Sequence, residues 1–151
     1  LYHLLGNMVT LLAIAPGVAR DIARPVWPLL LGSAMFSNAL WVTLRRSGSC
    51  LGLSGVTMSV IAVQARAVPE RVYRIFLAGV IPISLPANQI LQILLLVSLV
   101  GSFVNNSRIA HLTHLGGMLF GVLYYELHVN KARRRYGFSR RHGFSRIRWW
   151  T

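Results

Sequence analysis

Asp, Glu, Lys and Arg are absent from five stretches of the chain: Leu1–Ala19, Pro25–Leu44, Ser47–Ala65, Ile75–Ser107 and Ile109–Tyr125, of 19, 20, 19, 33 and 17 residues. A helix needs about 20 apolar residues to cross ~30 Å of hydrocarbon, and four of the five stretches are of that size. The 33-residue stretch is too long for one crossing and short for two with a turn, and Pro82, Pro86 and Asn88 punctuate it. Proline removes a donor and restrains the residue before it, so an irregular or partly inserted segment is predicted at about Ile75–Leu85, with a span at Ala87–Phe103. Such backbone is tolerated at membrane depth only where protein or water covers it. Five crossings follow, near 3–22, 26–43, 53–66, 87–103 and 109–127. The predicted fold is all-α: a polytopic membrane helix bundle over residues 1–130, followed by a basic, aromatic tail over 131–151.

Composition agrees with this. Of 151 residues, 54% are hydrophobic and 13% charged, against about a quarter charged in an ordinary soluble domain. A soluble enzyme, a disordered chain and a compact nucleic-acid-binding domain are thereby excluded. The lone Cys50 has no internal disulfide partner. The chain opens at Leu1, two residues before a polar motif, which is read as a boundary with further chain upstream.

The net charge of +13 is unevenly placed, with 8 of the 16 basic residues at Lys131 or beyond. If Leu1 lies on side A of the membrane, five crossings put Arg20, Arg24, Arg66, Arg71, Arg74 and the tail on side B, leaving Arg45, Arg46 and Arg108 on side A. The positive-inside rule assigns side B to the cytoplasm, or to the matrix of a mitochondrion.

A few polar residues lie inside the apolar stretches, where burial in lipid is costly and function is the default explanation. His3 and Asn7, four apart, share a helix face, as do His111 and His114, three apart. Gly52-Leu53-Ser54-Gly55 opens the third crossing, and Gly117 and Gly121 form a small-xxx-small pair on the helix that carries His114. Small residues let helices approach closely. All these polar groups fall toward side A. A serine and a histidine on two such helices make a nucleophile and a general base, with His3 and Asn7 available as donors to an oxyanion. Asp21, Glu70 and Glu126 lie toward side B, so the pair would work as a dyad. Helix packing and interhelical hydrogen bonding are the competing explanations for each residue taken singly. No metal is expected: His111 and His114 are two ligands where a catalytic zinc needs three.

At these residues the sequence resembles the rhomboid family of intramembrane serine proteases. The family pattern of HxxxN, GxSG and a glycine-flanked histidine stands here as His3-Leu4-Leu5-Gly6-Asn7, Gly52-Leu53-Ser54-Gly55 and His114-Leu115-Gly116-Gly117, in the family's order. The chain is most similar to the mitochondrial presenilin-associated rhomboid-like branch, through Pro69-Glu70-Arg71, Ile75-Phe76-Leu77, Ala87-Asn88, the run His111–Gly121, and Met58 four residues after the serine. The resemblance covers roughly residues 1–127. It implies a rhomboid-like core lacking its first helix in this chain, with Ser54 as nucleophile and His114 as general base. His3, Asn7 and the Ser54 amide would line the oxyanion hole, and Gly52, Gly55, Gly117 and Gly121 would serve as structural motif positions. The implied activity is cleavage of transmembrane substrates without a cofactor, in the mitochondrial inner membrane. Leu53 stands where the family usually has a smaller residue. The rival reading is a catalytically silent rhomboid-like subunit or scaffold of an inner-membrane complex.

The tail holds seven arginines, Gly-Phe-Ser-Arg at 137–140 and again at 143–146, and a closing Trp149-Trp150. Basic residues outside a span are attracted to anionic lipid, and tryptophan favours the interface. The expected tail partners are membrane lipids, cardiolipin among them, or subunits of a membrane complex, ahead of nucleic acid.

Overall fold

The computed structural model describes residues 2–44, 53–77, 81–103 and 110–135. Gly52, the side-A arginines Arg45, Arg46 and Arg108, and the tail from 136 onward lie outside the described residues. Helices α1 (Tyr2–Ile22), α2 (Trp27–Leu44), α3 (Ser54–Ala67), α4 (Ala87–Ser102) and α5 (His111–Tyr124) fall at the five predicted crossings. Beyond α5 the helix continues as a π-helical stretch (Tyr125–Asn130) and a short α6 (Lys131–Arg135). Two helices, α1 and α2, are long and apolar enough to cross a membrane on their own measure, and α4 is a shorter apolar helix.

The bundle is organised around α3, whose residues are buried on almost every side while its neighbours expose theirs. Leu12 and Met35 are each 74% exposed and Phe103 81%, large apolar side chains turned outward on α1, α2 and beyond α4. An outward apolar surface of that extent fits lipid contact. The buried apolar core gathers toward side B, where Val18 and Ile22 of α1, Leu29 of α2, Val60 and Val63 of α3, and Tyr124, Tyr125 and Val129 meet.

α1 ends in a Schellman pair, Arg24 N–H to Ala19 C=O at 3.3 Å and Ala23 N–H to Arg20 C=O at 3.2 Å. Ala23 occupies the left-handed position, φ 52°, that glycine usually fills. Pro25 and Pro28 then start α2 with proline confined to its first turn, where no intrahelical donor is lost.

One expectation is overturned. The segment predicted to be irregular at Ile75–Leu85 is an antiparallel ribbon, β1 (Val72–Leu77) paired with β2 (Ile81–Pro86). The prolines suggested disrupted backbone, but a ribbon tolerates proline wherever its N–H would face away from the partner strand. The signal was present in two apolar, partly β-branched runs flanking Gly79.

Candidate active site

Ser54 is the first helical residue of α3 and is buried. Leu53 precedes it with no side-chain cap, so the first-turn amides, that of Ser54 included, have no intrahelical acceptor, and no backbone acceptor among the described residues meets the Ser54 amide. α3 has 14 residues, about 21 Å against ~30 Å of hydrocarbon. With Arg66 at the side-B surface, Ser54, about 18 Å along the helix from it, stops roughly 12 Å short of the opposite edge. Ser54 is therefore recessed from side A.

α5 lies against α3 at backbone distance. A methyl carbon built on Gly117 would overlap the Gly55 carbonyl oxygen and fall 2.9 Å from the Gly55 Cα, while one on Gly121 would fall 2.9 Å from the Ser59 Cα. The contacts advance in step, Gly117 on Gly55 and Gly121 on Ser59, so the two helices run parallel in one register. One turn earlier on α5, on the same face, stands His114. It is buried, at the level where α3 begins. Its Nε2 is buried with no hydrogen-bond partner among the described residues, so the Ser54–His114 hydrogen bond is not formed.

His111 has a different setting. Its ring packs on Gly101 of α4, where an added methyl carbon would lie 2.7 Å from the imidazole Cδ2. It meets His114 edge-on, with ring centroids 6.0 Å apart. This histidine seats α4 on α5, while His114 faces α3.

His3 and Asn7 share a face of α1, as their spacing predicts. Asn7 Nδ2 donates to the His3 carbonyl at 2.7 Å and lies 3.4 Å from His3 Nε2. Among the described residues both Asn7 side-chain contacts go to His3, so an oxyanion role needs one of them released.

Two polar features of the bundle, one at the site and one away from it, escaped sequence reasoning. α2 supplies Ser33 and Ser37, both buried, and Ser37 hydroxyl donates to the Ser33 carbonyl at 2.6 Å. A methyl carbon on Gly55 would sit 2.5 Å from Ser37 Oγ and 2.9 Å from Thr113 Cγ2, so Gly55 is where α2, α3 and α5 converge. Gly32-Ser33 with Ser37 is a small-xxx-small pattern that could have revealed this. The second is a polar tie toward side B: Asp21 of α1 accepts from Arg71 through both carboxylate oxygens and from Gln64 Nε2 of α3 at 3.1 Å. The carboxylate beside it raises the Arg71 pKa above its ordinary value.

A cavity of about 730 Å³ runs beside these elements, walled by α1 from Tyr2 to Ile14, floored by Ile61 and Gln64 of α3, and bounded by β1 and the first turn of α4. Ser54 and His114 are not among its lining residues.

Residues 1–131 match the Rhomboid domain. Among curated proteins, the chain is 28% identical over 131 residues to presenilin-associated rhomboid-like protein, mitochondrial, of Rattus norvegicus, covering 82% of this chain and 34% of that protein. It is 28% identical over 130 residues to the Homo sapiens protein of the same name, with the same coverage. It is 30% identical over 127 residues to presenilin-associated rhomboid-like protein A, mitochondrial, of Danio rerio, covering 81% of this chain and 33% of that one. The chain thus spans about a third of the length of the curated relatives it matches. No solved structure matches it. An apolar helical bundle, with the domain match extending over residues 1–131 of 151, identifies this chain as an integral membrane protein of the rhomboid family.

Proposed function

We propose that the chain is the core of an intramembrane serine protease that cuts transmembrane segments of other proteins, with Ser54 as nucleophile and His114 as general base. The supporting observation is the parallel crossing of α3 and α5 at Gly55 and Gly117, which holds at one level a buried serine and a buried histidine whose Nε2 has no hydrogen-bond partner among the described residues.

In the first step Ser54 Oγ bonds to the scissile carbonyl carbon as its proton passes to His114 Nε2. The carbonyl oxygen becomes an oxyanion, met by the Ser54 amide and by donors of His3 and Asn7, and preorganised donors of this kind are often the largest catalytic term. Collapse breaks the C–N bond, the leaving amine takes the proton from His114, and water then repeats the sequence on the acyl-serine. The client must unwind locally, because a helical carbonyl is already hydrogen-bonded and shielded. The recess above Ser54 gives water a short path from side A.

We infer a mitochondrial location from the names of the relatives, and propose the inner membrane as the compartment, with side B facing the matrix. Residues 131–151 then form a tail that lies on anionic lipid such as cardiolipin, or docks on a membrane-complex subunit.

A second reading is a catalytically silent scaffold that holds client helices, and the absence of a Ser54–His114 hydrogen bond favours it. Fluorophosphonate labelling in proteoliposomes separates the two. Labelling abolished by Ser54→Ala and by His114→Ala supports the protease; a folded protein that never labels supports the scaffold.

A further inference from the structure

The ribbon between α3 and α4 has two unlike edges. Val72 pairs with Pro86, Arg74 with Ser84 and Phe76 with Pro82. The bond from Ala87 N–H to Arg71 C=O extends this register and sets its phase. Arg71 accepts from Ala87 while its own N–H donates to the Val68 C=O at 3.2 Å; in the phase this sets, residues 73, 75 and 77 exchange hydrogen bonds with 85, 83 and 81, and the pairs between them turn their N–H and C=O groups outward. Both ribbon prolines occupy outward positions of β2, so that edge keeps one donor, the Ser84 amide. The β1 edge keeps the amides of Val72, Arg74 and Phe76, and among the described residues no backbone hydrogen bond reaches any of them. One edge is closed to strand pairing and the other is open.

The open edge adjoins the cavity, since Tyr73, Arg74 and Ile75 form its β1 wall. Lipid acyl chains could fill that volume but have no groups to pair with a strand edge. A polypeptide has them at every residue, and an extended polypeptide presents them unpaired. We propose that the outer edge of β1 captures, by strand addition, the extended segment flanking a client's membrane helix on side B, with alternate side chains of that segment seated in the cavity. The inference rests on the reading of the chain as one that receives client helices. It adds a ruler: Gln64, on the cavity floor, lies ten residues along α3 from Ser54, about 15 Å. The captured strand and the scissile bond are then about ten helical residues apart.

The test uses the full chain in proteoliposomes with a single-span reporter client carrying its side-B flank. Arg74→Pro removes an outward donor without touching the ribbon's own bonds; Ser84→Pro does the same directly across, on the closed edge. Arg74→Pro is expected to raise KM for the reporter about five- to tenfold, chiefly through KM and not kcat, while Ser84→Pro leaves it within twofold. Equal effects of the two, or none from Arg74→Pro, overturn the proposal. Independently, benzoylphenylalanine in place of Val72, in a Ser54→Ala background, should photocross-link the reporter's flank. Cross-links absent from the flank overturn the proposal even if Arg74→Pro fails to fold. Since the cross-link requires no turnover, a silent wild-type chain that still captures the flank refutes the protease reading alone.

Discussion

Gly117→Ala tests whether the α3–α5 crossing sets the geometry of the site. The added carbon would overlap the Gly55 carbonyl oxygen and lie 2.7 Å from its carbon, where ordinary contacts begin at 3.4 Å. Neither atom can rotate away, because both are backbone, so the helices must part by the difference, at least about 0.7 Å. Overpacking of this kind costs about 1–3 kcal/mol of stability. A displacement approaching 1 Å in a catalytic constellation costs on the order of 100-fold in rate. The assay is the fluorophosphonate labelling rate of Ser54 in proteoliposomes, read beside the thermal unfolding midpoint in detergent. Gly6→Ala is the matched control, because nothing lies within 4 Å of a methyl carbon there. Gly117→Ala should lower the midpoint and slow labelling by about two orders of magnitude, with Gly6→Ala near wild type in stability. Wild-type stability and labelling in Gly117→Ala would refute the argument that this contact spaces the two helices.

Further outcomes follow from the same structure. Ser54→Ala should abolish reporter cleavage while leaving the unfolding midpoint within a degree or so of wild type, since one hydroxyl is lost from a helix start; residual cleavage at the wild-type rate dismisses Ser54 as nucleophile. Ala23→Gly should stabilise the protein by about 0.5–1 kcal/mol by relieving the left-handed backbone at the end of α1, read as a raised midpoint in detergent. Asp21→Ala strands the donors of Arg71 and Gln64 and should cost about 1–2 kcal/mol, the partial exposure of Arg71 keeping it from being larger. Arg66→Ala breaks a half-exposed pair with Glu126 and should cost under about 1 kcal/mol in the same assay.

Four of the five helices were legible because each lies in an apolar stretch bounded by charge, the strongest signal a membrane chain carries, and the start of α4 was marked by Pro86 inside a longer stretch. The resemblance rested on His3, Asn7, Ser54 and His114, and the structure brings Ser54 and His114 to one level while leaving Asn7 bonded to His3. The ribbon was missed because proline was weighed as a breaker without regard to the phase of its N–H, which pairing partners fix and local sequence does not. Ser33 and Ser37 went unnoticed for a similar reason: serine in a span reads as merely tolerated until a neighbour such as Gly55 is known to touch it. The Asp21 tie joins residues about fifty positions apart, and no local pattern encodes it.

The unequal lengths of the lipid-facing helices bear on the lipid as much as on the protein. α1, with 21 residues, runs about 31 Å at 1.5 Å per residue, while α4, with 16, runs about 24 Å, and both turn large apolar side chains outward. Acyl chains that fit the length of α1 must compress beside α4, and each ångström of mismatch carries an elastic cost of a fraction of a kcal/mol. The bundle thus deforms the surrounding leaflet where α4 runs short, and a thinner bilayer relieves that strain. Membrane thickness becomes a variable to which this protein is tuned, and reconstitution in lipids of graded chain length would shift its stability with no change of sequence.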